Sequence, residues 1–503
     1  MKFYIFFLCI FVVYFSHVVG LMNSGDAPQY FTTQAILETG SPNLSPYSRD
    51  PHYFVWPDYA QRGDQILNMR GHGVSFFSAP LHIIAKVIAP VFTFHNFPQT
   101  IITPNFSHEV TVVSLFTLFS LIGLVFVWLA VKRVTRNDLI SYIVVLNLAL
   151  GTYIWKYVAY YSRQGIQVFL LGLTVYIFTR LVEARSRSSV WLTGLLCTAA
   201  ASYAIDVIQF VAVVASIIVY IALNHEKHHV NTTRLFKIVL PAAIITLIIV
   251  ASNVLWYKQI SSSLYKENIV IGEKFKGPVL KTWMSAPLIP NVWYLLFSYD
   301  KLNPSTFRHF DEIDDVVDQY VSLSYAQKYN FYGLLVISPF FLLSLISLIK
   351  YKKMHRATLY SCVIGVVGFI ATAKYYAFWG GNLYDVRYFY PYMILLALPA
   401  AQGLMYLKGF RITWIFVAAT TVGSIYMGFL GAVNMYLPAL TGERRIWLEP
   451  FHEQSPDSNI VTALFLNREN ADIAVYIWII LMTLVLFLQR RMRRSKDGQA
   501  KVE

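Results

Sequence analysis

Long apolar runs separated by short polar or basic connections dominate this chain. Runs of about twenty mostly apolar residues, the length that crosses a bilayer core, fall at 3–21, 111–131, 139–156, 165–182, 190–204, 207–223, 236–256, 331–349, 357–376, 388–407, 412–432 and 472–489. They predict about twelve transmembrane helices and an all-α integral membrane fold. The shortest pair, 190–204 and 207–223, is separated only by Ile205-Asp206. A single bent helix or a re-entrant hairpin is the alternative there, and either would change the count. The first run carries one Lys, an apolar core and small residues near Gly20, as a signal peptide would. Val18-Val19-Gly20 is a poor small-x-small cleavage site, so a retained anchor is the expectation.

Composition agrees with this pattern: 56% of the 503 residues are hydrophobic and only 14% are charged, because ionisable side chains in hydrocarbon are costly and collect in loops. The net charge of +14 acquires a meaning once it is located. Counted from an inside N-terminus, the even-numbered connections hold Lys132, Arg133 and Arg136; Arg185 and Arg187; Lys227, Arg234 and Lys237; Lys350, Lys352, Lys353 and Arg356; and Lys408 and Arg411. The tail 490–503 adds Arg490, Arg491, Arg493 and Arg494. The positive-inside rule makes that face cytoplasmic, with both termini on it. The basic excess is an orientation signal, not a nucleic-acid footprint. Cys9, Cys197 and Cys362 fall inside apolar runs, with no metal-binding spacing.

Two segments on the opposite, external face are too long for simple connections, 22–110 and 257–330, and 433–471 is a shorter third. They are rich in Trp, Tyr, Phe and Pro and are expected to fold onto the membrane. Within the first, Val74 to Phe94 is apolar but carries Pro80, His82, Lys86 and Pro90, which suits an interfacial or kinked helix. The acidic run Asp311, Glu312, Asp314, Asp315 and Asp318 reads as a solvated helix face. The chain has one polytopic domain, with no repeat, phosphate-binding Walker loop, dinucleotide fingerprint or serine-nucleophile elbow.

Two constellations could carry chemistry. Asp26 follows the first apolar run and precedes Ala27-Pro28-Gln29-Tyr30. Pro28 suits the first turn of a helix, on which Tyr30 and Gln34 share a face, with Asp26 at the end where the helix dipole favours a carboxylate. Spacing leaves a capping role and a catalytic role equally open. The second constellation, Lys374 to Pro391, holds Trp379-Gly-Gly-Asn-Leu-Tyr384-Asp385-Val-Arg387-Tyr388. It lies on the external face, where positive charge is scarce. A guanidinium beside a Gly-Gly turn is a seat for a lipid-linked phosphate; the bland alternative is an aromatic belt with a snorkelling Arg.

At this point a resemblance enters. An acidic residue after the first helix, followed by Tyr and Ala on a short helix and then Gly, resembles the first external loop of the polytopic C-type (GT-C) glycosyltransferases, which use polyprenyl-phosphate sugars. Gly71-His-Gly73-Val-Ser75 with Pro80, Gly151-Thr152 with Trp155-Lys-Tyr157, and Trp379-Gly-Gly-Asn-Leu-Tyr384-Asp-Val-Arg387-Tyr388 resemble stretches of bacterial members. Asp385 stands in place of their usual Gly. The Asp-Glu pair of protein mannosyltransferases is here Asp26-Ala27, and the turn after Trp155 reads Tyr160-Tyr-Ser-Arg163-Gln164 rather than carrying another acid. The resemblance implies inverting transfer of a sugar to a hydroxyl of a glycan, lipid or protein acceptor. Asp26 would be the base, Arg387, Lys374 and Arg163 would hold the donor phosphate, and Tyr30, Gln34, Trp379, Tyr384 and Tyr388 would line the substrate. A divalent metal could share the phosphate, with Asp58, Asp64, His52 and His72 available as ligands, although no spacing among them is diagnostic. A transporter or lipid flippase is the rival class, and a lipid-linked oligosaccharide ligase or polymerase is a second. Acids that collect outside the helices favour the enzyme over the former, and scarce Arg in 257–330 counts against the latter.

Overall fold

The apolar runs become helices that break where the sequence removes a backbone donor or supplies a cap. The structure is a computed structural model describing residues 2–16, 18, 21, 27–48, 59–91, 106–158, 161–183, 188–224, 232–260, 288–297, 333–374 and 389–433. In chain order the described helices are α1 (Lys2–Ser16), α2 (Ala27–Thr39), the single turn α3 (Ser45–Ser48), α4 (Gly73–Ile88), α5 (Phe106–Thr135), α6 (Asp138–Leu150), α7 (Tyr153–Val158), α8 (Arg163–Glu183) and α9 (Ser188–Ile205). They continue as α10 (Val207–Leu223), α11 (Thr232–Tyr257), α12 (Leu288–Phe297), α13 (Leu334–Ile337), α14 (Leu343–Ile349), α15 (Arg356–Lys374), α16 (Ala397–Leu407) and α17 (Arg411–Val433). The fold is that of a polytopic helical membrane protein. Seven described helical stretches are long and apolar enough to cross a membrane, and four further apolar helices are shorter.

Eleven of the twelve runs drawn from the sequence coincide with helical residues, and the twelfth, 472–489, lies outside the described residues. Three of the eleven are interrupted. Run 139–156 ends as α6 at Gly151 and resumes as the six-residue α7. Run 331–349 is cut at Ser338-Pro339, where a 3-10 turn, Pro339–Leu342, separates α13 from α14, because proline has no N–H to donate to the preceding turn. Run 388–407 opens as a 3-10 helix, Tyr390–Leu396, with Pro391 in its first turn. The pair at 190–223 is two helices. The Asp206 carboxylate accepts from the backbone N–H of Ile208 and of Gln209 at 2.8 and 3.1 Å, which starts α10 afresh.

Within the first long loop, the chain between α3 and α4 forms a small antiparallel ribbon of β1 (Tyr59–Arg62) and β2 (Gln65–Asn68), with Tyr59 opposite Asn68 and Arg62 opposite Gln65. The two-residue connection is Gly63-Asp64, and Gly63 has φ +57°. Asp58, an available metal ligand in the sequence reading, lies outside the described residues, as do 434–503 and most of 261–332.

α5 and α8 form the centre of the bundle. They cross at Gly123 and Gly172, where a Cβ on Gly172 would lie 2.4 Å from the Gly123 carbonyl oxygen. Small residues let two backbones touch where lipid offers no hydrophobic drive for association. α1 packs on α5 and α6 through Phe3 on Trp128 (ring centroids 4.7 Å apart) and the Tyr14 hydroxyl, which donates to the Ala149 carbonyl at 2.9 Å. α11 turns much of its surface outward, with Leu247 and Ile248 exposed, as suits a lipid-facing helix.

The described basic residues at the helix ends lie at one end of this bundle. Arg133 in the last turn of α5 pairs with Glu183 at the end of α8. Arg356 donates to the side chain of Asn224 at the end of α10 at 3.2 Å. The Tyr406 hydroxyl donates to the Lys353 carbonyl at 2.8 Å. The starts of α5 and α8, the α9–α10 junction and the end of α6 lie at the other end of the same helices.

Candidate functional site

At that other end, polar side chains buried between α2, α4, α5 and the stretch before α8 make one connected cluster. Sequence spacing creates its α4 face: Ser75, Ser78 and His82 recur at intervals of three and four and so fall on one side of the helix. Thr33 of α2 meets them. Its hydroxyl lies 2.9 Å from Ser75 Oγ, 3.0 Å from Ser78 Oγ and 3.0 Å from the Tyr161 hydroxyl. Tyr161 donates to Ser78 Oγ at 2.5 Å and sits 3.2 Å from His82 Nε2. Burial holds the Tyr161 phenol well above its usual pKa, so it is a neutral donor at any physiological pH.

Tyr30 extends the cluster to α5. Its hydroxyl is 2.7 Å from His108 Nδ1, and His108 Nε2 is 3.2 Å from the His82 carbonyl. A carbonyl only accepts, so the proton of neutral His108 is on Nε2, and Nδ1 accepts from Tyr30. Burial raises the Tyr30 pKa well above 10, with a further contribution from the nearby Glu109 carboxylate. Glu109, fully buried in the first turn of α5, accepts the backbone N–H of Leu21 at 2.7 Å. It thereby fixes the chain five residues before Asp26, in a position the helix dipole favours for an anion.

The glycines of the first loop have a steric basis. Gly71 has φ +79°, and a Cβ on Gly73 would lie 1.7 Å from the Ala204 carbonyl oxygen, so α4 starts in contact with the end of α9. His72, between them, is enclosed: its ring stacks on Tyr257 (5.2 Å, 10°) and meets Trp256 edge-on (4.6 Å, 86°), and Nε2 bonds Ser252 Oγ at 2.9 Å. Burial pushes the His72 pKa down to about 4. Asp64 stands on the exposed ribbon turn instead, where its carbonyl accepts from Ser45 Oγ at 3.1 Å. No group of three His, Cys, Asp or Glu among the described residues is arranged to hold a metal ion.

The stretches from Gly151 and toward Pro391 meet at the same end. Tyr157 of α7 stacks on Tyr390 with centroids 4.5 Å apart and planes 6° apart, and the 3-10 helix Tyr390–Leu396 packs against α8. Arg163 opens α8, and its guanidinium lies 3.6 Å from Asp206 Oδ2. Lys156, whose ammonium lies 5.5 Å from the Tyr157 ring centre, is 1% exposed.

Of the residues expected from sequence to form a site, Tyr30 joins the buried cluster, and Arg163 follows Tyr161 by two residues and pairs with Asp206. Gln34 is only half-buried and donates to Glu38 Oε1 at 3.0 Å, away from Tyr30's partners. Lys374 is the last residue of α15, half-buried. Asp26, Arg387, Trp379, Tyr384, Tyr388, Asp58 and His52 lie outside the described residues. Sequence reasoning passed over Thr33, Ser78, His108, Glu109 and Tyr161, and met Ser75 only as part of the Gly71–Ser75 resemblance. A polar stripe inside an apolar run and a His-Glu pair at the mouth of the longest helix were the available signals.

Neither a family model nor a curated protein matches the chain. Among solved structures it is similar to ArnT from Cupriavidus metallidurans bound to undecaprenyl phosphate, at TM-score 0.46 and 11% identity, over 97% of this chain and 71% of that one. It is also similar to the archaeal oligosaccharyltransferase AglB from Archaeoglobus fulgidus in complex with an inhibitory peptide and a dolichol-phosphate, at TM-score 0.46 and 11% identity, over 90% of this chain and 60% of that one.

Proposed function

We propose that this protein is a polytopic membrane glycosyltransferase that moves a sugar from a polyprenyl phosphate to a hydroxyl acceptor on the external face, with inversion at the anomeric carbon. One observation carries the reading. The described parts of the stretches on which the sequence resemblance rests, or the described residues that flank them, lie at the end of the bundle opposite the described basic connections. α2 meets α4 through Thr33 and Ser75, and Tyr157 meets Tyr390, which directly follows the Arg387 stretch. By the positive-inside rule that end is external.

The chemistry follows from the donor. A lipid phosphate is already a good leaving group, so the protein needs to activate a hydroxyl and stabilise a phosphate. Asp26, bonded to the first residue of α2, takes the acceptor proton. The acceptor oxygen forms a bond to the anomeric carbon as the carbon–oxygen bond to phosphate breaks on the opposite side, and the lipid phosphate leaves with the electron pair. Glu109, by holding Leu21, limits where Asp26 can go, and Arg387, Lys374 and Arg163 are the cations for the phosphate.

The test is transfer by purified protein in nanodiscs from a panel of radiolabelled polyprenyl-phosphate sugars to hydroxyl acceptors. The expected result is label in an acceptor and release of the lipid phosphate. Movement of an intact lipid-linked sugar across a vesicle without its consumption would instead establish a flippase.

A further inference from the structure

The start of α8 carries a set of buried hydrogen-bond donors that have no partner among the described residues. Ser162, 7% exposed, presents a hydroxyl with no partner among the described residues, and so does Tyr392, 3% exposed, on the 3-10 helix packed against α8. Arg163 Nε is likewise buried and unpartnered. The Tyr392 hydroxyl lies within electrostatic range of both Arg163 and Asp206. In the first turn of α8, a helix of 21 residues, the Gly165 N–H donates to the Ser162 carbonyl at 3.1 Å, and the N–H groups before it have no partner within the helix. A lone unmatched buried donor is costly, and several at one helix start, beside a cation, describe the negative image of an anion.

We infer that Ser162, Arg163, Tyr392 and the α8 N-terminus form a binding site for the phosphate of a lipid carrier, with Asp206 as its internal counter-ion. This rests on the transferase reading and deepens it, because Arg163 gains named companions and a regulator. The site lies where two spanning segments begin, Arg163–Glu183 and Tyr390–Leu407, so a phosphate with an attached hydrocarbon chain fits it better than a free one.

The geometry of Asp206 divides its work. Oδ1 caps α10, while Oδ2 faces the guanidinium at 3.6 Å, beyond hydrogen-bond length. The carboxylate holds Arg163 in place without using its donors. It also competes with an arriving anion and so keeps the carrier phosphate from binding too tightly to leave.

The experiment measures equilibrium binding of radiolabelled undecaprenyl phosphate, and separately of inorganic phosphate, to the full-length protein in phosphatidylcholine nanodiscs. Tyr392→Phe removes a hydroxyl that has no partner among the described residues, so thermal stability should not fall, and lipid-phosphate affinity should drop about tenfold. Asp206→Asn keeps the cap, since Asn and Asp cap equally well, and should tighten binding about tenfold by removing the competing charge. Unchanged affinity in both variants would overturn the site. Inorganic phosphate that binds as tightly as the lipid would overturn the assignment to a carrier. Failure of the two readings is distinguishable: variant-sensitive binding without sugar transfer removes the transferase and leaves the site, whereas transfer with variant-insensitive binding does the reverse.

Discussion

The Thr33 hydroxyl is the joint between α2 and α4, and its worth can be worked from its partners. Thr33→Val keeps the shape and removes contacts to Ser75, Ser78 and Tyr161 at 2.9–3.0 Å. Ser78 and Tyr161 keep each other through their own hydrogen bond. Ser75 does not fare so well: Thr33 is the partner its hydroxyl has, and the residue is buried. The predicted cost is that of one orphaned buried hydroxyl together with the lost bonds, about 1–3 kcal/mol. Ser75→Ala alone leaves Thr33 with its other partners and should cost about 0.5–1.5 kcal/mol. The double variant has no orphan, so it should be no less stable than Thr33→Val, giving a coupling of about 1 kcal/mol or more. Equilibrium unfolding in mixed micelles, followed by circular dichroism and repeated for all four proteins, measures the cycle. If the two single losses simply add, within about 0.5 kcal/mol, the hydroxyls are not coupled and the cluster does not join the helices.

Four further outcomes are expected. Asp26→Asn should lower sugar transfer about a hundred- to ten-thousand-fold while costing at most about 1 kcal/mol of stability, since an amide still caps but takes no proton; near-normal turnover in a purified assay would return Asp26 to a cap. Arg387→Lys should weaken use of the donor nearly as much as Arg387→Ala, because a point charge does not reproduce the planar fork, and a fully active lysine variant would refute a specific grip on phosphate. His72 is held neutral in the native state, with its pKa lowered to about 4, so the unfolded chain binds a proton first as pH falls. The His72 contribution is therefore complete above about pH 6.5 and lost on acidification toward pH 4; His72→Phe should flatten that limb of the unfolding curve, and an unchanged slope would count against it. Cysteine labelling in intact cells should find position 58 accessible to an impermeant reagent and position 353 protected, and the opposite pattern would invert both the topology and the proposed mechanism.

The sequence made the helices legible because hydrocarbon tolerates few polar residues, so each span is a contrast that composition alone displays. Its interruptions were harder to see. Pro339 and Pro391 lie inside apolar runs, and a hydrophobic window averages over the donor that each removes. The ribbon at Tyr59–Asn68 was missed, although Gly63-Asp64 is a two-residue hairpin signal, because attention to spans leaves short loop strands unread. The buried cluster was half legible. Ser75, Ser78 and His82 declare a common face on any helical wheel, but nothing local announces that Thr33, 42 residues from Ser75, and Tyr161, 128 from Thr33, complete it.

The pairing of Arg163 with Asp206 shows why such links escape a reading of the chain and why they matter. In the sequence, Arg163 enters only through the family resemblance, as a cation for the donor phosphate, and Asp206 only as part of the two-residue break between apolar runs 190–204 and 207–223. Separately, each is expensive near hydrocarbon, and a reading that treats them one at a time must assign a task to both. Packing of α8 against the α9–α10 junction makes each the reason the other can be there. Coulombic balance is not a full account of the pair, however. An optimised structural bridge would use short, two-pronged contacts, and a 3.6 Å approach, with Nε unmatched among the described residues, is poor geometry for that purpose. The pair neutralises charge while leaving Arg163 Nε without a partner among the described residues, and that is the feature on which the proposed anion site rests.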